Sequence, residues 1–114
     1  TTRFSQVMMN LLKNAIEACA QTDKADKKVS IWISRERPGQ IAKIQISDNG
    51  SGIAEEDYQR IFEAFYSTKN NNGKNIGLGL SLVKEIVEQD FNGKIQVQSL
   101  LGEKSNFILR LPVL

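Results

Sequence analysis

Apolar residues recur along the first part of the chain at steps of three and four: Phe4, Val7, Met8, Leu11, Leu12, Ala15, Ile16 and Cys19. That period predicts a helix over residues 3 to about 20 with one apolar stripe. A second stripe at the same spacing is polar: Gln6, Asn10, Lys13, Asn14 and Glu17. The polar run 21–28 ends the helix. The period then changes to two. "VSIWIS" (29–34) places Val29, Ile31 and Ile33 on one side, and "IAKIQIS" (41–47) does the same with Ala42, Ile44 and Ile46. With Pro38-Gly39 as the turn, these runs predict an antiparallel pair.

"AEEDYQRIFEAF" (54–65) returns to a helical period. Glu55, Glu56 and Asp57 crowd its first turn, where the helix dipole favours negative charge, and Tyr58, Ile61, Phe62 and Phe65 form its apolar face. Residues 66–76, "YSTKNNNGKNI", have no period and are rich in Asn, Gly and Lys. Structureless loops of that length are uncommon unless functional or disordered. "IGLGLSLVKEIVEQ" (76–89) begins glycine-rich and turns helical. "KIQVQSL" (94–100) and "NFILRLP" (106–112) predict two further strands around a turn at 101–105, with Pro112 closing the last. Adjacent hairpins favour a mostly antiparallel or mixed sheet with helices on one face. Strict strand–helix alternation is missing, which argues against a doubly wound dinucleotide-binding sheet.

Composition narrows the function. At 114 residues, the chain suits one domain with one core. Fifteen basic against thirteen acidic residues leave a net charge of +2, too little to argue for nucleic acid or a membrane surface. No apolar run is long enough to span a bilayer. The chain opens in what reads as a helix, so it is expected to be a piece of something longer. The single cysteine, Cys19, lies on the apolar stripe and reads as a core residue. Histidine is absent, which excludes histidine-based triads, zinc motifs and acid–base roles within the chain.

Four features carry candidate chemistry. In "QISDNGSGI" (45–53), Asp48 ends a strand and Gly50 and Gly52 come just after it. Asn49-Gly50 is also a hairpin signal, but the residues after Gly52 do not look like a returning strand. An ionised carboxylate only accepts hydrogen bonds, so it suits an exocyclic amine such as that of adenine. Asn10 and Asn14 share a helix face. Such pairs are usually solvated, yet an amide oxygen is a neutral hard ligand suited to Mg²⁺, which takes most other oxygens from phosphates and water. Gly77-Leu78-Gly79 opens a helix, as either a hinge or a place where backbone N–H groups meet an anion. Lys69, at the aromatic-bounded entry of the long loop, is a candidate phosphate contact. Lys74 reads as solubilising.

These pieces, in this order, resemble a known family. "NLLKNAIEA" (10–18) resembles the N box of sensor histidine kinases, "DNGSGI" (48–53) the G1 box, "FEAFYSTK" (62–69) the F box and "GLGLSLVKEIVE" (77–88) the G2 box. "GEKSNFILRLP" (102–112) is similar to the final glycine box and last strand. The resemblance covers nearly the whole chain. It implies a single catalytic ATP-binding domain over 1–114, of the superfamily shared with DNA gyrase, mismatch-repair ATPases and heat-shock chaperones. The implied fold is an α/β (α+β) two-layer sandwich: a mixed, mostly antiparallel sheet of about five strands, about three helices on one face, and a mobile ATP lid over 66–76.

Position by position, the resemblance implies that Asn14 coordinates Mg²⁺, with Asn10 and Lys13 near the phosphates and Lys69 beside Asn10 and Asn14 in the catalytic group. Asp48 binds the adenine amine, and Gly50, Gly52 and Ile53 shape that pocket. Ser105 supports the adenine side through water. Phe62 and Phe65 anchor the lid base. Ile76, Gly77, Leu78, Gly79 and Leu80 meet the nucleotide, the first glycines through their backbone. The chain departs from the family pattern at Asn75-Ile76, where the G2 box usually reads Gly-Thr, at Lys104, often a second glycine, and at Glu17, often basic. Hydrolytic relatives carry a water-activating glutamate where this chain has Asn10. That favours transfer from ATP to a histidine on a separate dimerisation domain, and then to a response-regulator receiver domain. A cytoplasmic location is implied, with no nucleic acid and no direct membrane contact. The alternatives are an anti-sigma-type serine kinase, a hydrolytic ATPase of the same superfamily, and a nucleotide-binding module without kinase activity.

Overall fold

Helix α1 spans Thr2–Ala20 in this computed structural model, which describes residues 2–36, 40–63 and 79–112. Its inward stripe is Val7, Leu11, Ala15, Ala18 and Cys19, all buried, with Phe4, Met8 and Leu12 packed along its edges. The stripe is narrower than the pattern predicts. Ile16 is 62% exposed, because each residue advances the helix by about 100° and position 16 has turned away from the sheet.

Strand β1 (Val29–Glu36) pairs antiparallel with β2 (Ile41–Asp48), placing Ile31 opposite Ile46 and Ile33 opposite Ile44. The Pro38-Gly39 turn lies outside the described residues. Strand β3 (Lys94–Leu100) and β4 (Lys104–Pro112) form the second hairpin, and β4 pairs antiparallel with β2. The sheet order is β1-β2-β4-β3. Among the described residues there are four strands, every pairing antiparallel, in keeping with the mostly antiparallel sheet of about five that was expected. β4 starts two residues earlier than its apolar pattern, since the polar pair Lys104 and Ser105 already belongs to the ladder.

The inner face supplies Ile44, Ile46, Phe107 and Leu109 to the core. Opposite them stand the α1 stripe and the second helix, α2 (Gly79–Glu85), which continues as a π-helical turn over Ile86–Asp90. Val83, Ile86 and Val87 are its buried residues. Arg3 Nε meets Asp90 Oδ2 at 2.7 Å and the rings of Phe4 and Phe91 meet edge to face, so the start of α1 is tied to the end of this helix. The result is a two-layer α+β fold with helices on one sheet face. On β1, the open edge, Trp32 and Ile33 are well exposed.

Residues 54–63 differ from expectation. The predicted helix is replaced by two 3₁₀ turns, Glu55–Asp57 and Arg60–Phe62. Their bonds close over three residues: Asp57 N–H to Ala54 O at 2.9 Å, and Glu63 N–H to Arg60 O at 2.9 Å. Tyr58 explains the interruption. Its hydroxyl accepts from the Ser99 N–H at 2.7 Å and donates to the Ser99 carbonyl. That fastens the segment sideways onto the β3 edge, and Ile61 and Phe62 then point into the core from a separate turn.

Candidate functional site

Alternation along β2 puts positions 44, 46 and 48 on one face. The first two are core isoleucines; the third is Asp48, only 4% exposed at the strand's last residue. A buried carboxylate is costly unless hydrogen bonds meet it, and Asp48 Oδ1 accepts from the Gly50 N–H at 2.9 Å. Across the sheet Asp48 lies opposite Ser105, which is opposite Ser99. This makes one polar row at the end of an otherwise apolar face. Ser99 Oγ is 3.1 Å from Ser105 Oγ, accepts from the Ile53 N–H at 2.7 Å and donates to the Lys104 carbonyl at 2.6 Å.

The loop after Asp48 is wedged between the end of α1 and the β3–β4 turn. A Cβ on Gly50 would lie 2.5 Å from the Ala18 carbonyl carbon and 2.7 Å from the Cys19 nitrogen. Glycine is required there by close approach. Gly52 is required by conformation, with φ at +72°, and a side chain on it would overlap the Leu100 carbonyl. The Ser51 N–H donates to the Ala18 carbonyl at 3.2 Å, and the Gly102 N–H donates to the Ser51 carbonyl at 2.6 Å. Asn49 does not form a hairpin. Its side-chain oxygen accepts from the Lys28 N–H at 2.7 Å, tying the loop to the start of β1. The Lys24 ammonium donates to the carbonyls of Asn49 at 2.8 Å, Gly50 at 3.2 Å and Glu103 at 2.6 Å. Sequence reasoning gave Asn49 only a hairpin role and Tyr58 only an apolar one, and passed over Lys24 and Ser99, because most of their partners are backbone atoms of distant residues, which leave no mark in residue type.

Asp48, Gly50, Gly52, Ile53 and Ser105 thus come together at one end of the sheet. Asn10 and Asn14 are half-buried on the flank of α1, with Lys13 exposed between them. Gly50 packs on Ala18, so Asn14 stands about 6 Å and Asn10 about 12 Å down the helix axis from that contact. Gly79 opens α2 and is exposed, and Leu80 is half-buried. Phe62 is half-buried, its ring edge to face with Phe107. Phe65, Lys69, Lys74, Ile76, Gly77, Leu78 and the expected lid lie outside the described residues. A cavity of about 340 Å³ opens beside the same row, lined by Ser105, Ser99, Tyr58, Asn106 and Lys104, and does not reach Asp48.

Among the described residues no group of three or more His, Cys, Asp or Glu side chains could hold a metal ion. The donor set on α1 is instead a pair of neutral amides. It fits a hard divalent cation that takes its remaining oxygens from water and phosphate. No described helix is long and apolar enough to cross a membrane.

Residues 1–114 match the family described as histidine kinase-, DNA gyrase B-, and HSP90-like ATPase. The chain is 40% identical to the sensor histidine kinase ZraS of Escherichia coli O157:H7 over 111 residues, covering 97% of this chain and 22% of that protein. It thus spans about a fifth of the length of the sensor kinase it resembles. Among solved structures it is similar to the nucleotide-free catalytic domain of histidine kinase ThkA, at 32% identity and a TM-score of 0.77, over 97% of this chain and 66% of that one. It is also similar to full-length ShkA in complex with AMPPNP, at 27% identity and a TM-score of 0.80, over 96% of this chain and 21% of that one. The row of polar groups under a glycine loop, the amide-bearing helix and the two-layer sheet are therefore those of a chain that belongs to the histidine kinase-, DNA gyrase B- and HSP90-like ATPase family.

Proposed function

We propose that this chain is the single ATP-binding catalytic domain of a longer sensor histidine kinase. It holds Mg-ATP and presents the γ-phosphoryl group to a histidine on a separate dimerisation domain. The observation that carries the reading is Asp48: a carboxylate on the core face of a strand end, oriented by the next-but-one amide. Similarity to sensor kinases, and to a kinase solved with an ATP analogue, supports it.

Asp48 accepts a hydrogen bond from the exocyclic amine of adenine. A bond to a charged group is worth about 1.5–3 kcal/mol, enough to separate adenine from guanine, which offers a carbonyl at that position. Gly50 and Gly52 keep side chains away from the base, and Ser105 supports it from the next strand. Asn14, with Asn10, would hold Mg²⁺, which neutralises phosphate charge when bound. Lys13 and Lys69 add positive charge near the triphosphate, and the backbone at Gly77 and Gly79 supplies N–H donors. Catalysis in such a site is mainly positioning and electrostatics.

The bond from the γ-phosphorus to the bridging oxygen breaks, a phosphorus–nitrogen bond forms on the acceptor, and ADP leaves. The chain contains no histidine, so the acceptor is supplied from outside it. Asn10 lacks the basicity to activate water, which suits transfer over hydrolysis. A response-regulator receiver domain is the onward acceptor, and the site works in the cytoplasm. The test is incubation of the full-length protein with γ-labelled ATP and magnesium. Acid-labile, base-stable label on histidine is expected; brisk phosphate release without labelled protein would overturn the proposal in favour of a hydrolytic relative.

A further inference from the structure

The three N–H bonds of the Lys24 ammonium all have backbone acceptors: the carbonyls of Asn49, Gly50 and Glu103. A lysine in a polar connection is ordinarily solvated and mobile, and holding its four-carbon stem costs rotamer freedom. Here the ammonium gathers three segments that are distant in sequence: the connection after α1, the loop after Asp48 and the β3–β4 turn.

One of these bonds bears directly on Asp48. The Asn49 carbonyl and the Gly50 N–H belong to one peptide group. Lys24 takes its oxygen at 2.8 Å, and Asp48 Oδ1 takes its hydrogen at 2.9 Å. A cation on the carbonyl draws electron density toward the oxygen and strengthens the N–H as a donor, so the bonds along such a chain reinforce one another. The plane of that peptide, and with it the direction of the carboxylate, is fixed from the far side by the ammonium. Gly50 packs against α1 through its own backbone, so the peptide has little other freedom.

We propose that Lys24 is a positioning residue for base selection. Through the Asn49–Gly50 peptide it aims the Asp48 carboxylate at the 6-amino group of the bound purine. This rests on the adenine reading of Asp48 above. The Lys24 ammonium is taken up by backbone carbonyls, so its effect belongs to the contact that distinguishes one base from another and leaves the triphosphate contacts alone.

The test compares ADP with inosine diphosphate, which carries a carbonyl in place of the 6-amine, by calorimetry on the full-length protein and its variants. The unaltered protein prefers ADP by about tenfold or more, and Asp48→Asn removes that preference. Lys24→Met weakens ADP about fivefold and inosine diphosphate less than twofold, with the loss disappearing when Asp48→Asn is already present. Equal weakening of both nucleotides by Lys24→Met, no weakening of either, or full additivity with Asp48→Asn would overturn the proposal while leaving Asp48 in its role. Persistence of the ADP preference in Asp48→Asn would instead sink the adenine reading itself, and the proposal with it. Unfolding midpoints are recorded alongside. If Lys24→Met does not fold, Lys24→Gln is measured in the same cycle, and the same outcomes decide.

Discussion

Replacing Gly50 with alanine tests the tightest contact around the candidate site. The added Cβ would stand 2.5 Å from the Ala18 carbonyl carbon, 2.6 Å from its oxygen and 2.7 Å from the Cys19 nitrogen. All three are backbone atoms of α1, so no side chain can rotate aside. Restoring an ordinary contact of about 3.4 Å needs a shift of about 0.9 Å in either the end of α1 or the loop. Overpacking of this kind typically costs about 1–3 kcal/mol, which lowers the unfolding midpoint of a domain this size by about 5–15 °C. The same shift stretches the 2.9 Å bond from the Gly50 N–H to Asp48, so nucleotide affinity falls as well. Thermal unfolding by circular dichroism and calorimetric titration with AMPPNP measure the two effects. Gly79→Ala is the control, since a Cβ there meets no described atom within 4 Å; its midpoint should hold or rise slightly. A Gly50→Ala protein as stable as the parent would refute the claim that this loop is clamped against α1.

Asn14→Ala should raise the magnesium concentration needed for half-maximal AMPPNP binding by about tenfold or more, leaving metal-free ADP binding unchanged; an unaltered magnesium dependence would remove Asn14 from the metal site. Tyr58→Phe should cost about 1–2 kcal/mol in urea unfolding, because it deletes the hydroxyl that bonds both backbone groups of Ser99; an unchanged midpoint would count against that anchor. Ile33→Lys on the open β1 edge should leave stability within about 0.5 kcal/mol and reduce self-association of the 114-residue chain in light scattering, whereas a large loss of stability would show that Ile33 is packed.

Strands were the most legible part of the fold. Alternation at 41–47 and 94–100 marks both the strands and the faces they bury, since a period of two has only one geometric meaning. The same pattern does not say what covers a face: Ile31 and Ile33 alternate just as Ile44 and Ile46 do, yet they stand exposed on the open edge strand. The helical spacing of Tyr58, Ile61, Phe62 and Phe65 covers only about two turns. One bond pair from Tyr58 to β3 is enough to divert it into two 3₁₀ turns. In the candidate site, Asp48, Gly50 and Gly52 were legible because a carboxylate and two side-chain-free positions at a strand end are unusual demands. Lys24 was not, because its acceptors are peptide carbonyls that every residue possesses and only folding gathers them at one point.

The central claim is that a magnesium nucleotide is held between the carboxylate of Asp48 and the amide of Asn14. A crystal structure grown with AMPPNP and magnesium tests it most directly. The account predicts the purine amine within hydrogen-bonding distance of Asp48 and the cation ligated by Asn14. A base bound away from Asp48, or a cation that Asn14 does not touch, would contradict it.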